Sequence, residues 1–362
     1  MKVALVHDWL TGLRGGERVL EQLCLMNPEA DVFTLVHVPG SCGPIIERHR
    51  IVTSFLQRLP LASTRWRYYL PLFPTAIESL RLDGYGLVIS SSHAVAKGCR
   101  PAPGARHVAY VHTPMRYVWD QFDAYFGPGR AGPVTRLAGH AAAPLLRRWD
   151  VASTGRAQRI IANSRFVSDR CRRFWGRAAD AVVHPPVDVA RFAPADAREE
   201  YALIVSALVP YKRVDVAVGA FNAAQKPLLV AGDGPELERL RAMAGPTVRF
   251  LGAVSEDDLP GLYARAAYFV LPGAEDFGIA PVEAQAAGRP VLALGRGGAL
   301  ETVVRGETGL FFEEQSEAGL AAALPEMERF ARKADPQAIR KNALRFAPER
   351  FRAEMAAAID AK

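Results

Sequence analysis

Nowhere in the 362-residue chain is one aspartate followed two residues later by another, so the carboxylate pair with which many diphosphosugar enzymes hold a metal is missing. Neutralising a diphosphate would then fall to side-chain cations and a helix dipole, without a metal. No apolar run approaches the ~20 residues needed to span a bilayer, which argues against a membrane-spanning protein. Met1 leads straight into strand-like sequence without the apolar core and cleavage site of a signal peptide, so a cytoplasmic location is expected. Cysteine is scarce. Cys24, Cys42, Cys99 and Cys171 lack the spacing of zinc ligands or redox pairs and read as ordinary reduced thiols. No RNP-type aromatic strand or zinc finger points to nucleic acid. The dinucleotide fingerprint G-x-G-x-x-G is also missing: its nearest match, AGDGPELERL, has Gly232 and Gly234 but Leu237 in the third place. A dehydrogenase is thereby disfavoured.

What is present is the composition of a globular protein, 49% hydrophobic and 23% charged, with a length that suits two domains of about 150 to 200 residues. Strand-like runs at 3–6, 31–36, 87–90, 108–111 and 159–162 alternate with helix-forming stretches. A proline-rich connector at 184–194 follows, and the alternation restarts with 203–206, 227–231, 248–251, 267–271 and 291–293. This pattern predicts an α/β fold of two doubly wound, Rossmann-like domains facing a cleft. The formal charge of +7 points to anionic partners, with nucleic acid, anionic lipid and phosphorylated substrates all open. Between 48 and 73, Arg48, Arg50, Arg58, Arg65 and Arg67 face only Glu47 and Glu78, and large aromatics such as Trp66, Tyr68, Tyr69 and Phe73 lie among them. Such a mixture suits a membrane surface. It equally suits a helix pair that packs its aromatics inward.

The richest stretch is GAEDFGIAPVEAQAAG, 273–288. A strand at 267–271 closed by Pro272 and Gly273 places Glu275 just past a strand end. Pro281 suits the first turn of a helix ending at Gly288, which puts Glu283 in that turn. Ligands of open parallel sheets bind beyond the carboxyl ends of the strands, where helix N-termini attract anions, so the two glutamates would flank an anion site. The alternative is that Glu283 merely complements the dipole and Glu275 is solvated. In SALVPYKRVD, Lys212 and Arg213 stand beyond another strand and could neutralise a diphosphate. In HVAYVHTPMRYVWD, His112 ends a strand, with Arg116, Trp119 and Asp120 following. In HDWLTGLRGGERVLEQL, Gly12, Gly15 and Gly16 lead to a helix expected from about Glu17, and such glycines let backbone N–H groups approach a phosphate or sugar.

Together these motifs, with IANSRFVSDR and GGALETV, resemble glycosyltransferase family 4, the retaining transferases of GT-B fold, over essentially the whole chain. HDWLTGLRGGERVL, YYLPLFPTAIESL, SSSHAVAKG and HTPMRYVWD are most similar to bacterial GDP-mannose-dependent mannosyltransferases of polysaccharide assembly. The resemblance implies an acceptor-binding domain over 1–190, a nucleotide-sugar-binding domain over 191–345, and a C-terminal helix over 346–362 packing back on the first. Glu275 would contact hydroxyls of the donor sugar and Glu283 those of the ribose. Phe277, Gly278 and Ile279 would offer backbone N–H groups to sugar and diphosphate. Lys212 matches the diphosphate-binding lysine, His112 the histidine near sugar and leaving group, and Gly15 and Gly16 the glycine loop facing phosphate and acceptor. One position departs: Ala207 stands where the broader family carries arginine, a place Arg213 could partly fill. The expected activity is transfer of a hexose, mannose from GDP-mannose, to a lipid-linked or polysaccharide acceptor at the inner face of the cell membrane. A transferase of UDP-sugars, a nucleotide-sugar epimerase and a non-catalytic sugar-nucleotide or membrane-surface binding protein are the alternatives.

Overall fold

Short runs rich in Val, Ile and Leu, buried on both faces, suit parallel sheets covered by helices, and the computed structural model contains two such sheets. It describes residues 1–123, 127, 132–195 and 198–361. The chain divides into two compact units, residues 1–186 with 351–362, and residues 187–350.

In the first unit the strands are β1 Val3–His7, β2 Asp31–Thr34, β3 Ile51–Thr53, β4 Leu87–Ser92, β5 Arg106–Val111, β6 Arg159–Ala162 and β7 Ala181–Val182, in the order β3-β2-β1-β4-β5-β6-β7. The chain winds outward from β1 through β2 and β3, then returns to place β4 on the other side of β1. That reversal lies between the carboxyl ends of β1 and β4. The helix Pro348–Asp360 contributes Phe351, Met355, Ala358 and Ile359 to the core of this unit, beside Leu5, Leu23, Ile89 and Tyr110. Arg106 and Arg159 donate to the carbonyl of Ala361 at 2.7 and 3.3 Å.

The second unit holds β8 Ala202–Val205, β9 Leu228–Ala231, β10 Val248–Gly252, β11 Tyr268–Leu271, β12 Val291–Leu294 and β13 Gly309–Phe312, in the order β10-β9-β8-β11-β12-β13. Here the winding reverses between β8 and β11. All ladders in both sheets are parallel.

The expected strands are present, and three more, β3, β7 and β13, lie at sheet edges. Two of these are only three and two residues long, too short to show a pattern. The first helix begins at Gly15 rather than near Glu17, because Arg14 is its N-cap and Glu17 is the third residue of a capping box, accepting from Arg14 N at 3.0 Å.

Segment 48–73 is no helix pair. It is a chain of short turns, including Phe55–Arg58, Ala62–Arg65 and Trp66–Leu72, interrupted by Pro60 and Pro71. Trp66 and Phe73 are buried and Trp66 packs on Trp9 at 4.1 Å, whereas Leu61 and Tyr68 are 60% and 69% exposed. The expected counter-charges are engaged elsewhere. Glu47 pairs with His37 at 3.1 Å, Glu78 with Arg100 and Arg156 at 2.6 Å, and Arg50 turns to Asp31 at 3.4 Å.

Candidate active site

In the second unit, the loops leaving β8 and β11 meet at the reversal of the winding, where open α/β sheets bind ligands. The β8 loop carries Lys212 at the end of the 3-10 turn Pro210–Lys212, and the β11 loop carries Glu275. Their side chains form a direct ion pair, both mostly shielded from solvent. Glu275 is therefore not a solvated carboxylate.

The β11 loop is locked against the β12 loop: Glu275 bridges to Gly297, and Gly298 N donates to Glu275 O at 2.8 Å. A Cβ on Gly298 would lie 2.3 Å from Phe277 Cα, so only glycine permits this approach. Gly278, at φ 92°, adopts a conformation that favours glycine and opens the helix Ile279–Ala286. The first N–H groups of a helix have no intrahelical acceptor, so this turn presents donors and the positive dipole end. The side chain of Phe277 is buried 5.3 Å from the ring of Phe346, which leaves only its backbone for a ligand. Ile279 is half-buried against the same core.

Glu283 is the fifth residue of its helix, one beyond the first turn where it was expected, because the helix starts at Ile279 and Pro281 is its third residue. It accepts a hydrogen bond from the Tyr263 hydroxyl at 2.8 Å. Burial, then the charge and hydrogen bond of Glu283, push the Tyr263 phenol well above its ordinary range, so it stays protonated and donates. Arg213 has φ 52°, caps the helix Val214–Ala224, and donates Nε to Asp215 at 3.2 Å. Ala207 is exposed in the same loop.

In the first unit a second polar cluster lies at the other reversal. Asp8, fully buried just past β1, accepts backbone N–H groups of His93, Ala94, Val95 and Ala96 at 2.7, 3.0, 2.6 and 2.7 Å and so ties down the loop after β4. His93 Nδ1 stands 3.2 Å from the same carboxylate, and burial lowers its pKa. Gly15 and Gly16 open the helix Gly15–Met26. A Cβ on Gly16 would lie 3.5 Å from His7 Cε1 and 3.9 Å from His112 Nε2, so this turn faces both imidazoles. His112, just past β5, hydrogen-bonds Ser91 Oγ through Nε2 at 2.8 Å. The residues after it serve the framework: Trp119 donates to Asp150 at 2.7 Å and Asp120 pairs with Arg170 at 2.7 Å.

Sequence reasoning named neither Tyr263 nor His7, Asp8, Ser91 and His93, and it named Glu17 only as the start of a helix. For His7, Asp8, Ser91 and His93 a signal existed: they are polar residues at the carboxyl ends of apolar strands, where such sheets bind ligands. The Tyr263 contact to Glu283 has no sequence signature.

Residues 13–191 match the model of Glycosyltransferase Family 4 and residues 189–345 that of Glycosyl transferases group 1. The chain belongs to the family 4 glycosyltransferases and has the GT-B fold. It is 36% identical over 195 residues to a GDP-mannose-dependent alpha-(1-6)-phosphatidylinositol monomannoside mannosyltransferase of Mycobacterium tuberculosis, covering 45% of this chain and 51% of that protein. It is 34% identical over 202 residues to a D-inositol 3-phosphate glycosyltransferase of Streptomyces avermitilis, covering 46% and 44%. The chain thus spans about half the length of the curated relatives it matches. Among solved structures, sucrose-phosphate synthase from Thermosynechococcus elongatus aligns at a TM-score of 0.74 and 19% identity, over 99% of this chain and 98% of that one. The Anabaena protein HepE in complex with UDP aligns at 0.68 and 19%, over 99% of each. At those identities the likeness concerns the fold. Among the described residues no helix is long and apolar enough to cross a membrane.

Proposed function

We propose that the chain is a retaining glycosyltransferase that moves mannose from GDP-mannose to a lipid-linked or polysaccharide acceptor. The observation that carries the reading is the Lys212–Glu275 pair at the reversal between β8 and β11, beside the N-terminus of the helix Ile279–Ala286. An ammonium has three donors, so Lys212 can keep Glu275 and still donate to a diphosphate. The charge that develops as the diphosphate leaves is met by Lys212, by Arg213 and by the helix turn after Gly278. Glu275, held by Lys212, accepts from hydroxyls of the transferred sugar, and Glu283, held by Tyr263, accepts from the ribose. His112 serves the sugar and leaving group, and Gly15 and Gly16 the phosphate and acceptor, roles carried over from the resemblance. The acceptor attacks from the face the diphosphate leaves, so Glu275 is no nucleophile. Support for mannose and guanine comes from the mycobacterial relative, whose description is GDP-mannose-dependent.

A thermal-shift series with GDP, GDP-mannose, UDP, UDP-glucose and UDP-N-acetylglucosamine tests the donor, since a ligand that binds only the folded state raises the midpoint. GDP and GDP-mannose are expected to shift it. Stabilisation by the uridine compounds alone would make the chain a UDP-sugar transferase. Turnover without any acceptor would make it an epimerase, and binding without transfer or hydrolysis a non-catalytic protein.

The exposed Leu61, Tyr68 and Leu72, beside Arg58, Arg65 and Arg67, support docking on an anionic membrane where a lipid-linked acceptor resides. Replacing the three arginines by glutamine is expected to reduce sedimentation with anionic vesicles at low salt while leaving GDP affinity intact. Unchanged sedimentation would end that assignment.

A further inference from the structure

The three consecutive serines of β4, Ser90, Ser91 and Ser92, point alternately to opposite faces of the sheet. On one face Ser90 Oγ meets His107 Nε2 at 2.9 Å. The other nitrogen of that ring, Nδ1, lies 3.1 Å from the carbonyl of Arg156, which can only accept. His107 therefore carries its proton on Nδ1, and Ser90 donates to Nε2.

On the other face Ser91 Oγ bridges two imidazoles, His7 Nδ1 at 3.1 Å and His112 Nε2 at 2.8 Å. A hydroxyl has one proton and two lone pairs, so Ser91 can donate to only one of the two rings and must accept from the other once it does. The far nitrogen of His7 decides which. His7 is fully buried, and its Nε2 has no hydrogen-bond partner among the described residues but faces Glu17 Oε1 at 3.9 Å. A bare nitrogen lone pair towards a carboxylate is repulsive, whereas an N–H towards it is attractive. Glu17 is itself oriented, because its other oxygen accepts from Arg14 N at 3.0 Å.

We propose that Glu17, His7 and Ser91 form a buried polar chain that fixes the tautomer of His112, with its proton on Nε2 and a bare acceptor at Nδ1. Glu17 keeps the His7 proton on Nε2. Ser91 then donates to His7 Nδ1, and His112 donates Nε2–H to Ser91. His112 Nδ1 has no partner among the described residues, and the ring is only part-buried, so this nitrogen is left to accept from a ligand hydroxyl. Burial, then the neighbouring His93 and His7, hold the His112 pKa well below its ordinary range, which keeps that lone pair available. Glu17, His7 and Ser91 are thus positioning residues for His112. The functional part of the inference rests on the reading of His112 as a group that serves the transferred sugar.

The chain makes a sharp forecast for Glu17→Gln. The amide oxygen would take the Arg14 N–H, which turns the amide NH2 towards His7. His7 Nε2 must then accept, His7 Nδ1 donates to Ser91, Ser91 donates to His112, and the His112 proton moves to Nδ1.

Long-range proton–nitrogen spectra of the intact chain labelled with 15N-histidine read each tautomer directly. His112→Gln identifies the His112 signals, and His107 serves as the internal Nδ1–H reference. The expected result is Nε2–H for His112 in the wild type, inversion to Nδ1–H in Glu17→Gln, and loss of a single preferred tautomer in Ser91→Ala. His112 protonated on Nδ1 in the wild type, or an unchanged tautomer in folded Glu17→Gln, overturns the proposal, and the wild-type spectrum decides even where a variant does not fold. In the transfer assay Glu17→Gln is expected to lower kcat by ~10-fold or more with GDP affinity unchanged, as loss of an outer partner does for oriented histidines. Inversion of the tautomer with an unaltered rate would leave the polar chain standing and overturn the role given to His112.

Discussion

Replacing Lys97 by Met removes one charge from the interior of the first unit at nearly constant volume. Lys97 and Asp150 have side chains 2% and 0% exposed and stand 2.9 Å apart. The ammonium also donates to Asp150 O at 2.8 Å and Ser153 Oγ at 2.6 Å, and it lies 4.6 Å from the centroid of Trp175. Asp150 lies in the last turn of the helix Pro133–Ser153, the negative end of that dipole, so its charge depends on this partner. Removing one member of a buried pair typically costs ~3–5 kcal/mol. The indole N–H groups of Trp119 and Trp175 both reach Asp150 Oδ2 at 2.7 Å and remain in the variant, which favours the low end of that range. At ~2–4 °C per kcal/mol for a unit of this size, a cost of ~3 kcal/mol lowers the midpoint by ~6–12 °C.

All five tryptophans, Trp9, Trp66, Trp119, Trp149 and Trp175, belong to the first unit, so urea unfolding followed by their fluorescence reports on that unit alone. Adding Asp150→Asn keeps an acceptor for both indoles and removes the orphaned charge, so the double variant is expected to regain at least half of the loss. A single variant within ~1 kcal/mol of wild type, or a double variant no better than the single, would refute the reasoning. The stake is also functional, since Lys97 directly follows the four N–H groups that Asp8 ties down beside His93.

Glu275→Ala is expected to cut transfer by ~100 to 1,000-fold while GDP still binds, because the assigned contact is to the sugar; initial rates and calorimetry check both. Glu283→Ala should weaken GDP itself, and Tyr263→Phe should do so in the same direction but less, since it removes only the donor that orients the carboxylate; equal GDP affinity in all three proteins would remove Glu283 from the ribose. Lys212→Ala is expected to cost ~10 to 150-fold in GDP affinity, the worth of a charge-assisted hydrogen bond. Arg213→Ala should cost under ~5-fold, because this guanidinium is shared with Asp215 in a half-exposed pair. A loss as large as that of Lys212→Ala would instead show Arg213 standing in for the arginine absent at Ala207, and Ala207→Arg should then rescue it.

The sequence by itself determined the class of fold and the loops that matter. Hydrophobic periodicity and turn chemistry are local, so the alternation around 87–90, 203–206 or 267–271 marked buried parallel strands, and the glycines at 15 and 16 marked a loop that opens a helix. The edge strands β3 and β7 escaped because two or three residues cannot show a period, and the counter-charges of segment 48–73 were misjudged because nearness in sequence is not nearness in space. Only the tertiary structure decided who touches whom. A doubly wound sheet sets β1 beside β4 and β4 beside β5, and this brings His7 to Ser91, 84 positions away, and Ser91 to His112, 21 positions away. In the second unit the helices before and after β11 bring Tyr263 to Glu283, and the fold of the first unit buries Lys97 against Asp150. A tautomer, an oriented carboxylate and a buried charge pair depend on directions between distant residues, and those directions exist only once the strand order does.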